Sequence, residues 1–191
     1  MIATIKNKTI LVTAIILLAV VIDQVIKLSI AGHFALGESH EITSWFWLCY
    51  IENNGMAFGL EWMPKIVLTL FRMVAVVLLG WYIHKLIRRQ ETPIGYIVTI
   101  AFVIAGALGN IIDCVFYGKL LQGGEWFYGK VIDMFYFPLI HNSAGEVLFF
   151  KPVFNFADSC ITVSVFVILF FYSKQLNLDS KKEDPTPEKG E

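Results

Sequence analysis

Charged side chains are scarce in this sequence of 191 residues, because aspartate, glutamate, lysine and arginine together make up only 16% of it. Hydrophobic residues make up 57%, which is more than soluble globular domains usually carry. The formal net charge of −1 provides no basic surface for a polyanion, so we expect no nucleic-acid partner. The composition therefore indicates a membrane protein.

Several common catalytic patterns are also missing. The three cysteines are odd in number and lack C-x-x-C spacing, which argues against a disulfide framework and against a zinc site. The four histidines form no H-E-x-x-H motif, and no serine lies in a G-x-S-x-G context. We therefore predict neither a metal nor a cofactor, and the carboxylates become the candidate reactive groups.

Four segments are apolar and long enough, or nearly so, to cross a bilayer core, which requires about 20 helical residues. They occupy residues 10–30, 66–84, 94–112 and 154–173. We predict an all-α membrane domain over residues 1–173 with four transmembrane helices, followed by a polar, disordered cytoplasmic tail over 174–191. Strand-favouring residues at 45–51 and 147–150 add a small β-sheet among the loops on the outer face.

The distribution of basic residues predicts the orientation, because short cytoplasmic connections are enriched in lysine and arginine. The N-terminus, the connection 85–92 and the tail contain nine of these residues, whereas the longer segments 33–65 and 113–153 contain four. We therefore expect both termini in the cytoplasm and the two long loops on the extracytoplasmic side.

Polar pairs at helical spacing lie in or beside the apolar segments, where an ionised group costs a few kcal/mol or more. One is the i,i+4 pair Asp23 and Lys27, which is consistent either with a structural ion pair or with a catalytic role. The others are the i,i+3 pairs Asn110 with Asp113 and Asn155 with Asp158. Asp158 also suits a helix N-terminal cap, and Asp133 by itself suggests a strand residue that faces water.

Five motifs in order resemble those of the lipoprotein signal peptidases, the type II signal peptidases of bacteria. They are D-Q-V-I-K at 23–27, N-N-G-M-A-F at 53–58, G-N-I-I-D at 109–113, V-I-D at 131–133 and F-N-F-A-D-S at 154–159. The resemblance implies an intramembrane aspartyl endopeptidase of the bacterial cytoplasmic membrane. Such an enzyme removes the signal peptide from prolipoproteins that carry a diacylglyceryl-modified cysteine, so the implied partners are that substrate and membrane lipid. Because the site would come from one chain, we expect a monomer.

The resemblance also assigns roles to individual residues. It implies that Asp133 and Asp158 form the catalytic dyad near the extracytoplasmic face. The residues it implies for substrate binding or for support of the dyad are Asn53, Asn110, Asp113, Asn155, Asp23 and Lys27. Two carboxylates held close together share a proton, so one can activate a water while the other polarises the scissile carbonyl.

The sequence departs from the family pattern in two places. Cys114 occupies the position after Asp113 where the family usually has arginine, and Lys119 and Lys130 are the candidates to replace that charge. The segments 114–132 and 134–153 are enlarged, and Gly123-Gly124 predicts a turn in a hairpin or flap within the first of them. A different class of function, a small transporter or proton-conducting protein, stays open because intramembrane acids also mark ion paths.

Overall fold

A computed structural model describes residues 4–54, 64–141, 147–149 and 152–176. Two sequence features lie outside these ranges, namely the G-M-A-F part of the second motif at 55–58 and residues 177–191 of the predicted disordered tail. The first residues of that tail, 174–176, are described and are helical, so the prediction of disorder is wrong for them. Five α-helices and five β-strands follow one another along the described chain. The helices are α1 (Ile5–His33), α2 (Lys65–Arg88), α3 (Ile94–Ile112), α4 (Gly118–Leu120) and α5 (Phe156–Phe171). The strands are β1 (Ser39–Thr43), β2 (Phe46–Asn53), β3 (Val131–Tyr136), β4 (Ile140–His141) and β5 (Val147–Phe149).

Three of the four predicted membrane spans correspond to helices of sufficient length and apolar character. They are Ile5–His33, Lys65–Arg88 and the helical stretch Ile94–Leu120, which continues α3 through a π-helical segment (Asp113–Tyr117) into α4. The fourth predicted span contains α5, which is apolar but has only 16 residues. The chain is thus mostly helical and multi-pass, whereas a fourth full span stays a prediction.

A small sheet is confirmed, and it is three-stranded and antiparallel in the order β1-β2-β3. The strand-favouring run at 147–150 does not join it, because β5 pairs with β4 in a separate two-stranded sheet. The strand-favouring run at 45–51 lies largely in β2, and β3 begins with the V-I-D motif. In this register Ile51 lies opposite Asp133 and Asn53 opposite Val131. The sheet therefore brings the second and fourth motifs next to each other.

Helix α3 forms the centre of the bundle and packs against α1, α2 and α5. It can approach α5 closely because a β-carbon on Gly106 would collide with the carbonyl oxygen of Ala157. In contrast, α2 and α5 leave large apolar side chains exposed, including Val77 and Phe171, as expected for helices that face lipid.

The enlarged segment after Asp113 does not form the hairpin that its glycines allow. Residues 113–120 remain helical, and no strand occurs in 114–130, all of which the structure describes. Gly123 has φ of 67°, as a tight turn requires, and the chain then returns to the π-helical segment. The segment is therefore a compact flap that leads directly into β3.

Candidate active site

The two candidate catalytic carboxylates come from different elements, because Asp133 lies in β3 and Asp158 in the first turn of α5. Asp133 is only 2% exposed, so the water-facing strand position suggested by its local sequence is wrong. Asp158 is half-buried. One carboxylate is thus enclosed by protein, while the other retains access to its surroundings.

Asn155 links these two aspartates. Its side-chain oxygen accepts a hydrogen bond from the backbone N–H of Asp158 at 2.9 Å, which caps the start of α5. Its amide nitrogen donates to Asp133 Oδ1 at 2.7 Å. The capping geometry of α5 therefore also aims the Asn155 amide at the carboxylate on β3.

Two further asparagines complete the hydrogen bonding of the pair. Asn53 at the end of β2 donates to Asp133 Oδ2 at 2.9 Å, and Asn110 on α3 donates to Asp158 Oδ1 at 2.8 Å. The Asn110 side-chain oxygen in turn accepts from Asn155 at 3.2 Å. The three amides therefore orient both carboxylates.

A buried charged cluster supports this arrangement from the side of α1. The Lys27 ammonium is fully buried and lies 2.9 Å from Asp23 Oδ2 and 2.8 Å from Asp113 Oδ2. It also donates to Asn110 Oδ1 at 3.0 Å. Buried charges require such pairing, because an isolated one loses its hydration. The sequence expectation that Asp23 and Lys27 share a face and pair is confirmed.

The same carboxylates hold the backbone next to each candidate catalytic residue. Asp23 Oδ1 accepts from the N–H of Ala157, one residue before Asp158, at 2.9 Å. Asp113 Oδ2 accepts from the N–H of Ile132, one residue before Asp133, at 3.3 Å. This geometry supports the structural alternative for Asp23 and Lys27.

Sequence reasoning missed two members of this cluster. The amide nitrogen of Gln24 lies 3.0 Å from Asp23 Oδ2 and 3.1 Å from Asp113 Oδ1, so it bridges both acids. The Tyr117 hydroxyl donates to the Gln24 side-chain oxygen at 2.8 Å. Gln24 lies inside the D-Q-V-I-K motif, so its polar side chain in an apolar helix was a usable signal. Tyr117 gave none, because aromatic residues are common throughout this sequence.

Burial dominates the electrostatics of Asp133. Loss of hydration, and then the negative charge of Asp158, raise the pKa of Asp133 from 3.8 to about 7. The hydrogen bonds from Asn53 and Asn155 act in the opposite direction but are outweighed. Asp133 is therefore able to hold a proton near neutral pH.

A guanidinium reaches the position after Asp113 from another helix. The Arg72 side chain on α2 donates to Cys114 Sγ at 3.4 Å. Neither of the lysines considered from the sequence takes this place, because Lys119 is exposed and Lys130 lies 3.3 Å from Glu52. Arg72 was visible in the sequence as a charge within an apolar segment, but its partner was not.

The cysteines and histidines do not assemble a metal centre in the part of the chain that the structure describes. No three His, Cys, Asp or Glu side chains are grouped there so as to hold a metal ion. Cys49 and Cys114 are buried free thiols, and Cys160 is half-buried.

Comparison with known proteins identifies the family to which these residues belong. A family model described as "Signal peptidase (SPase) II" matches residues 15–174. The chain belongs to the signal peptidase II family. It is 40% identical to a lipoprotein signal peptidase of Porphyromonas gingivalis, over 91% of this chain and 88% of the relative. A lipoprotein signal peptidase of Amoebophilus asiaticus is 36% identical over 81% of this chain and 74% of its own.

The fold agrees with that of a solved bacterial membrane enzyme determined by the in meso method at 1.9 Å resolution. The TM-score is 0.62 at 26% identity, over 83% of this chain and 89% of that one. Membership in the signal peptidase II family makes this chain a protease of lipoprotein processing. The transporter hypothesis receives no support from these comparisons.

Proposed function

We propose that this signal peptidase II is an aspartyl endopeptidase that cleaves diacylglyceryl-modified prolipoproteins with Asp133 and Asp158 as its catalytic dyad. The observation that carries the proposal is the Asn155 side chain, which hydrogen-bonds both to the Asp133 carboxylate and to the backbone of Asp158. A single residue thereby fixes the relative placement of two acids on separate elements. Such preorganisation is what a reaction that needs both groups requires.

The environments of the two aspartates suggest a division of roles. Asp133, with its raised pKa, is the acid that donates a hydrogen bond to the scissile carbonyl oxygen. Asp158 is the base that takes a proton from the attacking water, whose oxygen then bonds to the carbonyl carbon. In the tetrahedral intermediate the former carbonyl oxygen carries the Asp133 proton. Asp158 then passes the proton taken from water to the leaving amine, the C–N bond breaks, and the carbonyl re-forms as its proton returns to Asp133. No covalent acyl-enzyme is needed.

The asparagines and the Lys27 cluster act as positioning groups in this scheme. Asn53 and Asn110 hold one oxygen of each carboxylate, which leaves the remaining lone pairs to face substrate and water. The single charge of Lys27 offsets one of the two carboxylate charges of Asp23 and Asp113, so these acids hold backbone near the dyad with a smaller net negative charge.

The proposal includes a membrane topology and a path for the substrate. We propose that the chain spans the bacterial cytoplasmic membrane with both termini inside and with the site near the extracytoplasmic face, as the basic residues predict. The diacylglyceryl chains of the substrate remain in lipid while its peptide reaches the dyad between helices. One chain supplies every proposed site residue, so we propose a monomer.

The test is cleavage of a purified diacylglyceryl-modified prolipoprotein in proteoliposomes. Asp133→Asn and Asp158→Asn should each lower the turnover number by at least about 10²-fold, because general acid–base catalysis contributes that much or more. Glu41→Gln is the matched control, since Glu41 is an exposed acid on β1. Each variant must elute from a size-exclusion column as folded, monodisperse protein. Wild-type turnover by either aspartate variant would remove that residue from the dyad.

A further inference from the structure

The flap between the two motif aspartates Asp113 and Asp133 carries large apolar side chains that the described residues leave exposed. These side chains are between 42% and 63% exposed. They belong to Phe116, Leu120, Leu121, Trp126 and Tyr128. Soluble loops avoid this clustering because exposed apolar patches promote association. The patch therefore calls for a partner.

The flap is rigid enough to present this patch as a defined surface. Phe127 N–H donates to Val115 O at 3.0 Å, and Gly129 N–H donates to Cys114 O at 3.0 Å. The rings of Phe116 and Trp126 meet edge to face at 5.8 Å. A β-carbon on Gly129 would collide with the carbonyl oxygen of Asp113, so the returning chain lies directly on the helix. The patch is a folded feature of the chain.

The length of the preceding helix determines the depth of the patch. The stretch Ile94–Leu120 has 27 residues, which corresponds to about 40 Å of helix, whereas the hydrocarbon core is about 30 Å thick. Its first turn follows the basic connection 85–92 at one membrane surface. Its last two turns must therefore emerge into the headgroup layer of the opposite leaflet.

The composition of the patch fits that layer. Tryptophan and tyrosine concentrate at membrane interfaces, where an apolar ring meets lipid and a polar edge meets water. Leu120 and Leu121 supply purely apolar contact, and the exposed Lys119 beside them can reach lipid phosphate oxygens.

We propose that the flap 116–128 is a docking wing that lies on the outer leaflet, with these aromatic and leucine side chains inserted among the lipids. Its two ends join the π-helical segment that begins at Asp113 and the strand that carries Asp133. Lipid contact by the wing therefore holds the start of β3 at a fixed depth. The proposal concerns lipid binding, so it can fail or succeed independently of the proposed dyad.

The test uses Trp126 as a reporter in proteoliposomes. The difference in fluorescence between the wild type and Trp126→Phe gives the signal of Trp126 apart from that of the other four tryptophans. That signal should be strongly quenched by lipids brominated near the top of the acyl chain and weakly quenched by aqueous acrylamide. Trp81→Phe is the control for a membrane-facing ring, because Trp81 is an exposed residue of the apolar helix α2.

Two outcomes would overturn the proposal. Strong quenching of Trp126 by acrylamide, without quenching by brominated lipid, would put the wing in water. Protection from both quenchers would mean that protein covers the patch, for example a second copy of this chain. A second reporter, Leu121→Trp in the Trp126→Phe background, should repeat the lipid quenching from a second position in the wing. Quenching by acrylamide alone at that position would also contradict docking.

Discussion

The raised pKa of Asp133 leads to a sharp prediction about how stability depends on pH. A carboxyl whose folded pKa is above its unfolded value binds more protons in the folded state, so the free energy of unfolding falls as pH rises between the two values. Below the unfolded value of 3.8 this penalty is absent, and above about 7 it is complete. The difference between these pKa values corresponds to about 4 kcal/mol.

Asp133→Asn removes this titration while keeping the shape of the side chain. The substitution turns one accepting oxygen into a donor, which disrupts one of the two amide hydrogen bonds at a cost of about 1 kcal/mol at every pH. The stability of the variant relative to the wild type should therefore improve by about 4 kcal/mol between about pH 4 and pH 8.

The assay is reversible unfolding in mixed detergent micelles, which circular dichroism monitors at each pH across that range. Taking the difference between variant and wild type cancels the groups that titrate alike in both. Glu41→Gln, which alters an exposed acid on β1, is the matched control variant. Asp158→Asn should reduce the slope that Asp133 contributes, because the charge of Asp158 is the second largest cause of the raised pKa. A flat difference for Asp133→Asn would refute the reasoning that burial and this charge favour the protonated acid.

Two further predictions concern the support of the site. Lys27→Met should lower the free energy of unfolding by about 3–5 kcal/mol, because Asp23 and Asp113 lose their shared counter-ion in a buried cluster. Lys6→Met on the exposed face of α1 is the control. An equal loss of stability in both variants would show that the buried cluster does not stabilise the protein more than an exposed lysine does. Gly109→Ala should destabilise by about 1–3 kcal/mol, since the new β-carbon would lie 2.6 Å from Asp23 Oδ2. Gly80→Ala should cause no loss of stability, because nothing lies within 4 Å of the added β-carbon. An equally small effect of Gly109→Ala would contradict the close packing of Gly109 against Asp23.

Much of the architecture was accessible from local sequence. Long apolar segments predicted helices that match α1, α2 and α3, because the backbone must satisfy its own hydrogen bonds in lipid. The run at 45–51 predicted the strand β2 from the preference of branched and aromatic side chains for sheets. The flap was less accessible, since its fold depends on the contact between Gly129 and the Asp113 carbonyl, two groups that no local pattern links.

The sequence by itself determined the membrane character, the helical segments, the five ordered motifs and the Asp23–Lys27 pair, because composition and helical spacing are local properties. Only the tertiary structure decided that Asn155 contacts both aspartates, that Lys27 also pairs with Asp113, and that Arg72 reaches Cys114. These contacts join residues far apart in the chain. Asp133 is the clearest example, because its burial in the folded chain, and not its neighbours in sequence, raises its pKa.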